Sequence, residues 1–211
     1  MPEATLSKIN EIFPHVKITQ MYGLSEYGVL YSQSKSNDSL WIKLSDKNIE
    51  SRVVDGMLQI KSMSTMIGYI NAPSPFTQDG WLMTGDMVEV DGDYIKILGR
   101  KSEIINIGGE KVFPAEVENV IQLMDGVKEV AVVGEKNAIT GQMVKAVVKL
   151  STNESVSEFR KRLREFCKDK LPLYKIPQKV VLTTEKMHTE RFKKIRRYLC
   201  NQKLKFFYTI I

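Results

Sequence analysis

The sequence predicts a mixed α/β protein: an antiparallel, β-rich part followed by a smaller α+β part. Three observations predict it. Between Val16 and Leu98, apolar residues alternate or run in β-branched stretches broken by Asp-Gly and Gly-Asp turns. After Gly99, apolar residues recur at helical spacing. From there, strand-like and helix-like segments take turns. The texture changes near Gly99–Ser102, which divides the chain into residues 1–98 and 99–211. No internal repeat and no low-complexity linker interrupts either part.

The elements follow in order. "LSKINEIFP" reads as a short helix stopped before Pro14. "HVKITQMYG" reads as a strand ending at Gly23, and "GVLYSQ" as its continuation. "DSLWIKLSD", "IESRVVDGMLQIKS" and "DMVEVDGDYIKILGR" read as short antiparallel strands, because Asp-Gly between apolar runs is a hairpin signal. "PAEVENVIQLM" opens a helix: Pro114 suits the first turn, where its missing N–H costs nothing, and Glu116 and Glu118 sit near the positive end of the helix dipole. "VKEVAVVGEK", "QMVKAVVKL" and "QKVVLTT" are strands. "SVSEFRKRLREFCKDKL" is a helix with Ser155 or Ser157 as N-cap and Pro172 beyond its end. "RFKKIRRYLCNQ" reads as a last helix.

Composition narrows the class. With 211 residues and 43% apolar content, a sizeable core is available. No apolar run approaches the roughly 20 residues of a membrane span, and the first residues lack the basic and apolar regions of a signal peptide. Cys167 and Cys200 have no metal-site spacing. A reduced, cytoplasmic protein is the expectation. The net charge of +6 is concentrated in "FRKRLREFCKDK" and "RFKKIRRYLCNQKLK". In the first of these, Phe159, Leu163 and Phe166 recur at helical spacing, which predicts a basic outer face over a buried stripe. No zinc-finger or RNP signature accompanies the charge, so no nucleic-acid partner is expected.

Four stretches have the chemistry of a nucleotide site. In "MYGLSE", an aromatic could stack on a base, Ser25 could bond a phosphate oxygen and Glu26 could hold Mg²⁺. "GWLMTGD" ends in Asp86, an acceptor suited to ribose hydroxyls. "GRKSEIINIGGEKVFPAEVENVI" combines Arg100, a fork for phosphate or carboxylate, with Gly108-Gly109, which frees the backbone. "MHTERFKKIRRYL" carries Lys193 and Lys194 near the C-terminus. Read singly, the Gly-containing motifs serve equally as turns and the lysines as a basic helix end.

Their order and spacing say more. "YGLSE", then Gly68-Tyr69, then "GWLMTGD", then "GRKSEIINIGGEKVFPAEVE", then a C-terminal lysine segment, resembles the adenylate-forming superfamily. The wording "INIGGEKVFPAEVE" looks most like the acyl- or aryl-CoA synthetase (AMP-forming) branch. The resemblance covers about Val16 to Leu199. It implies that residues 1–98 are the C-terminal part of the large AMP-binding domain, a β-barrel-like subdomain. It implies that 99–211 are the small mobile α+β domain, with its hinge near Ser102, where the family often has Asp or Lys. The implied activity is ATP-dependent adenylation of a carboxylic acid, followed by transfer of the acyl group to CoA or phosphopantetheine.

The resemblance also implies roles. Tyr22 and Gly23 belong to the adenine-side motif, with Tyr22 stacking on the base. Ser25 takes the place of the usual Thr that contacts phosphate. Glu26 coordinates Mg²⁺. Asp86 holds the ribose hydroxyls, and Arg100 binds ribose or phosphate. Gly108 and Gly109 line the thiol channel. Lys193 matches the lysine that stabilises the adenylating transition state, with Phe192 where the family has Gly and Lys194 beside it. The family's Ser/Thr/Gly-rich phosphate loop, which lies upstream of "YGLSE", has no counterpart here. The implied partners are therefore a small-molecule carboxylate, CoA or a carrier protein, and a separate N-terminal ligase portion. Two rival readings remain at this point: a diverged, non-catalytic interaction subunit of the same fold, and a fragment of a peptide-synthetase adenylation domain.

Overall fold

A computed structural model describes residues 3–187. Two compact units divide the chain, Met1–Ser102 and Glu103–Ile211.

Unit 1 opens with α1 (Glu3–Ile12), which buries Leu6 completely. A small hairpin follows, β1 (Tyr22–Leu24) with β2 (Gly28–Leu30). Six further strands are β3 (Ser32–Ser34), β4 (Trp41–Leu44), β5 (Glu50–Val54), β6 (Met57–Lys61), β7 (Leu82–Asp91) and β8 (Tyr94–Arg100). They form one curled antiparallel sheet in the order β3-β4-β8-β7-β6-β5. The β5–β6 turn is Asp55-Gly56, both at positive φ (51° and 75°), as a tight two-residue hairpin requires. Leu24, Leu30, Ile42, Leu58, Ile60, Leu82, Val88 and Ile95 close over the core of this unit.

The expected strand over residues 15–23 shrinks to Tyr22–Leu24. The cause is local. Ile18 N–H donates to Asn37 Oδ1 (3.0 Å), Gln20 N–H donates to Ser34 Oγ (3.0 Å), and Asn37 Nδ2 donates to the Val16 carbonyl (2.9 Å). Side chains satisfy this backbone in place of a neighbouring strand.

Unit 2 consists of β9 (Ile105–Ile107), β10 (Glu110–Val112), α2 (Pro114–Gln122), β11 (Val127–Asn137), β12 (Gly141–Leu150), α3 (Val156–Cys167) and β13 (Lys179–Leu182). β12 is central. It pairs with β11 antiparallel and with β13 parallel, and its first residue, Gly141, pairs with Ile107 of β9. Val130, Val132, Val144, Ala146 and Val148 meet Val117 and Ile121 of α2 and Phe159 and Leu163 of α3 in one core.

Ser155 is the N-cap of α3. Its hydroxyl accepts the Glu158 N–H (3.3 Å) and Glu158 Oε2 accepts the Ser155 N–H (2.9 Å), a reciprocal capping box. The buried stripe of α3 is Phe159, Leu163 and Cys167, one residue every four. Phe166, expected in that stripe, is only partly buried, because Cys167 continues the i, i+4 face. The two glutamates of α2 also do more than open a helix. Glu116 Oε1 accepts the Phe113 N–H (3.1 Å), whereas Glu118 is buried and accepts the Val132 N–H of β11 (2.8 Å).

Candidate nucleotide site

Strand register assembles the site within unit 1. Asp86 on β7 and Arg100 at the end of β8 stand directly opposite each other in the ladder. Arg100 Nε lies 2.9 Å from Asp86 Oδ1. Tyr22 on β1 donates its hydroxyl to Asp86 Oδ2 (2.5 Å) from 64 residues away. A second layer fixes the first. The Arg100 guanidinium donates to the Thr84 carbonyl (2.6 Å), the Thr84 hydroxyl accepts the Asp86 N–H (3.1 Å), and the same hydroxyl donates to the Leu58 carbonyl of β6 (2.7 Å).

Asp86 is 6% exposed and Tyr22 8%, while the Arg100 side chain is 47% exposed. The site is therefore a buried carboxylate with an open cationic rim. Burial pushes the Asp86 carboxyl above its ordinary value, against the pull of the Tyr22 hydroxyl and Arg100. Burial and the adjacent Asp86 push the Tyr22 hydroxyl up, so it remains a donor at neutral pH. Both Asp86 oxygens are engaged, yet a carboxylate has about four acceptor positions. Tyr22 and Arg100 therefore do not exhaust its acceptor capacity.

The remaining expected residues fall into three groups. Gly23, Ser25 and Glu26 lie beside Tyr22, in β1 and the turn to β2, with Ser25 exposed and Glu26 half-buried. Glu26 Oε1 accepts the hydroxyl of Tyr69. Ser102 is exposed in a single 3₁₀ turn at residues 101–103, where the two units meet in sequence. Gly108 and Gly109 form the two-residue β9–β10 turn in unit 2, at φ 59° and 99°. That turn accounts for the glycine pair on backbone grounds, because neighbouring positive φ values disfavour any residue with a Cβ. Lys193, Lys194 and Phe192 lie outside the described residues.

Sequence reasoning missed Tyr69 and Thr84. Gly68-Tyr69 was visible as part of the motif series, but nothing local says that its hydroxyl meets Glu26, 43 residues earlier. Among the described residues, no three His, Cys, Asp or Glu side chains gather to hold a metal. Glu26 alone still fits Mg²⁺, which commonly takes one carboxylate plus phosphate oxygens. No helix among the described residues is long and apolar enough to cross a membrane.

Residues 116–193 match the family described as AMP-binding enzyme C-terminal domain. Putative acyl-CoA synthetase YngI of Bacillus subtilis is 29% identical over 96% of this chain and 40% of its own length. Long-chain-fatty-acid–CoA ligase FadD13 of Mycobacterium tuberculosis is 40% identical over 60% of this chain and 25% of its own. Among solved structures, o-succinylbenzoate CoA synthetase from Bacillus subtilis with its acyl-adenylate superposes with a TM-score of 0.74 at 26% identity, covering 96% of this chain and 44% of that one. The anthranilate CoA ligase AuaEII with anthranoyl-AMP gives 0.78 at 25% identity, covering 94% and 42%. The chain spans well under half the length of these relatives. Motif order, fold and relatives converge: the chain belongs to the adenylate-forming superfamily, in its acyl- and aryl-CoA ligase branch, and corresponds to the C-terminal portion of its members.

Proposed function

We propose that this chain supplies the ribose-binding part and the small domain of an ATP-dependent, AMP-forming carboxylate–thiol ligase. The carrying observation is the Tyr22–Asp86–Arg100 arrangement: a buried carboxylate, fixed at both oxygens, beside an exposed guanidinium. Such an acceptor suits the paired hydroxyls of a ribose, and the guanidinium suits an adjacent ribose or phosphate oxygen. Tyr22 and Gly23 form the adenine side and Ser25 faces the phosphates. Glu26 would hold Mg²⁺, which would supply charge neutralisation at the phosphates. Lys193 stabilises the charge that develops as the carboxylate attacks. CoA or phosphopantetheine then accepts the acyl group, with Gly108-Gly109 lining its approach and Ser102 as the pivot between the two half-reactions.

The phosphate loop comes from an N-terminal ligase portion. Two observations support this. The relatives are more than twice as long as the matched region. Unit 1 also leaves the side chains of Ile12, Phe13, Met63, Ile67 and Ile70 exposed, as expected where another segment packs on them.

AMP binding tests the reading. Asp86→Ala removes the acceptor for two sugar hydroxyls, a loss of about 1–3 kcal/mol. Since about 1.4 kcal/mol is a factor of ten, AMP affinity of the chain with its N-terminal portion falls roughly tenfold or more. Equal affinity for wild type and Asp86→Ala overturns the ribose assignment. By itself the chain shows no carboxylate-dependent ATP–pyrophosphate exchange, because phosphoryl-group chemistry needs donors already placed around the phosphates. Exchange by the pure chain contradicts the requirement for a second portion.

A further inference from the structure

We propose that Tyr69 is a positioning residue that sets the Glu26 carboxylate for its cation. The inference rests on the reading of Glu26 as a Mg²⁺ ligand. Glu26 sits in the turn between β1 and β2 and is clasped twice by one segment. Its main-chain carbonyl accepts the Met66 N–H (2.8 Å), and its Oε1 accepts the Tyr69 hydroxyl. That segment joins β6 to β7. Within this chain Ile67 is 104% exposed and Ile70 98%, so neither side chain anchors the segment in the core of unit 1. Polar bonds to Glu26 therefore contribute directly to where the segment lies.

The geometry suits orientation of a ligand. A free glutamate has three side-chain torsions, and a donor on one oxygen selects among their rotamers. The oxygen so fixed keeps a further acceptor position, and Oε2 has its own. A carboxylate that ligates a metal is commonly held in this way by an outer hydrogen bond, and loss of that bond weakens metal binding about 10–100-fold. Among the described residues Tyr69 makes no hydrogen bond to Asp86 or to the Arg100 guanidinium, which are held instead by Tyr22 and Thr84.

The test uses the chain together with its N-terminal portion, as for AMP binding above, and Mn²⁺ as the probe. Free Mn²⁺ is followed by electron paramagnetic resonance in the presence of AMP, for wild type, Glu26→Gln, Tyr69→Phe and the double variant. Thermal melting checks that each is folded. Tyr69→Phe keeps the ring and removes only a half-exposed hydroxyl, so its melting temperature stays near wild type. The expected result is Mn²⁺ binding by wild type, its loss in Glu26→Gln, about tenfold weaker binding in Tyr69→Phe, and a double variant no worse than Glu26→Gln. AMP affinity measured without metal stays the same in Tyr69→Phe. If Glu26→Gln loses Mn²⁺ while Tyr69→Phe binds as tightly as wild type, the positioning role is overturned and the metal reading survives. If wild type binds no Mn²⁺, or Glu26→Gln binds it unchanged, the metal reading falls and the role of Tyr69 falls with it.

Discussion

Asp86 and Glu135 are both acidic, yet their surroundings move them in opposite directions. Asp86 is raised by burial. A raised carboxyl favours the fold most at low pH, and its contribution is lost as pH rises from its ordinary 3.8 through the raised value. Glu135 is lowered, chiefly by its hydrogen bond to Lys179 (2.6 Å) and also by Lys145 (3.1 Å). Its contribution is fully present above the ordinary 4.5 and is lost as pH falls through the lowered value. Acidification therefore acts differently on the two units. Hydrogen exchange followed against pH should show β11 and β12 amides losing protection on the acid side of 4.5. Glu135→Gln should flatten that loss while leaving β7 and β8 unchanged. Glu135→Ala should cost more, about 1–3 kcal/mol, because the Lys145 ammonium, 6% exposed, then loses the acceptor oxygen that Gln still offers. Denaturant midpoints compare the two variants.

At the scale of elements, α2 and α3 each have one polar contact whose removal tests a single interaction. Ser155→Ala deletes the cap of α3 and should cost about 1 kcal/mol, read as a lower thermal midpoint for unit 2. For α2 the contact is tertiary. Among the described residues β11 lies at the end of the strand order, so alternate N–H groups along it face away from the ladder. Glu118 accepts one of these, from Val132, inside the core. Glu118→Ala leaves that N–H without its acceptor and should cost about 1–3 kcal/mol. Val132 and its neighbours should then exchange faster, with no change at α3. A Glu118→Ala variant as stable as wild type would show that the contact adds nothing to docking α2.

For the whole molecule, the two compact units meet in sequence at Ser102 and Glu103. Lys101 and Ser102 are exposed, in a turn of three residues with no buried side chain. Domain borders have few crossing contacts and yield to proteases first. If Ser102 is the pivot proposed for the ligase cycle, limited proteolysis should nick near Lys101–Ser102 before any strand is cut, and the two units should then melt separately. Uniform resistance there, with cleavage elsewhere, speaks against a pivot.

Much of this was open to reading from the sequence. The Asp55-Gly56 turn, the Ser155 cap and the order of the nucleotide motifs depend on residue type and short spacing, which local chemistry constrains. Asp86 and Arg100 were visible as candidates for the same reason. Other features depended on pairing across long separations. Whether residues 15–21 form a strand was decided by Asn37 and Ser34, whose side chains reached them first. Tyr22 reached Asp86 because β1 and β7 share one core, and Tyr69 reached Glu26 because the β6–β7 connection returns over the β1–β2 turn. Lys145 reads as a surface charge until β12 becomes the central strand and places Glu135 beside it. Composition and spacing thus determined the family, the turns and the chemical types at the site. Only strand register and sheet order decided which of those groups touch, because a contact between distant residues is set by the packing of the elements that bear them.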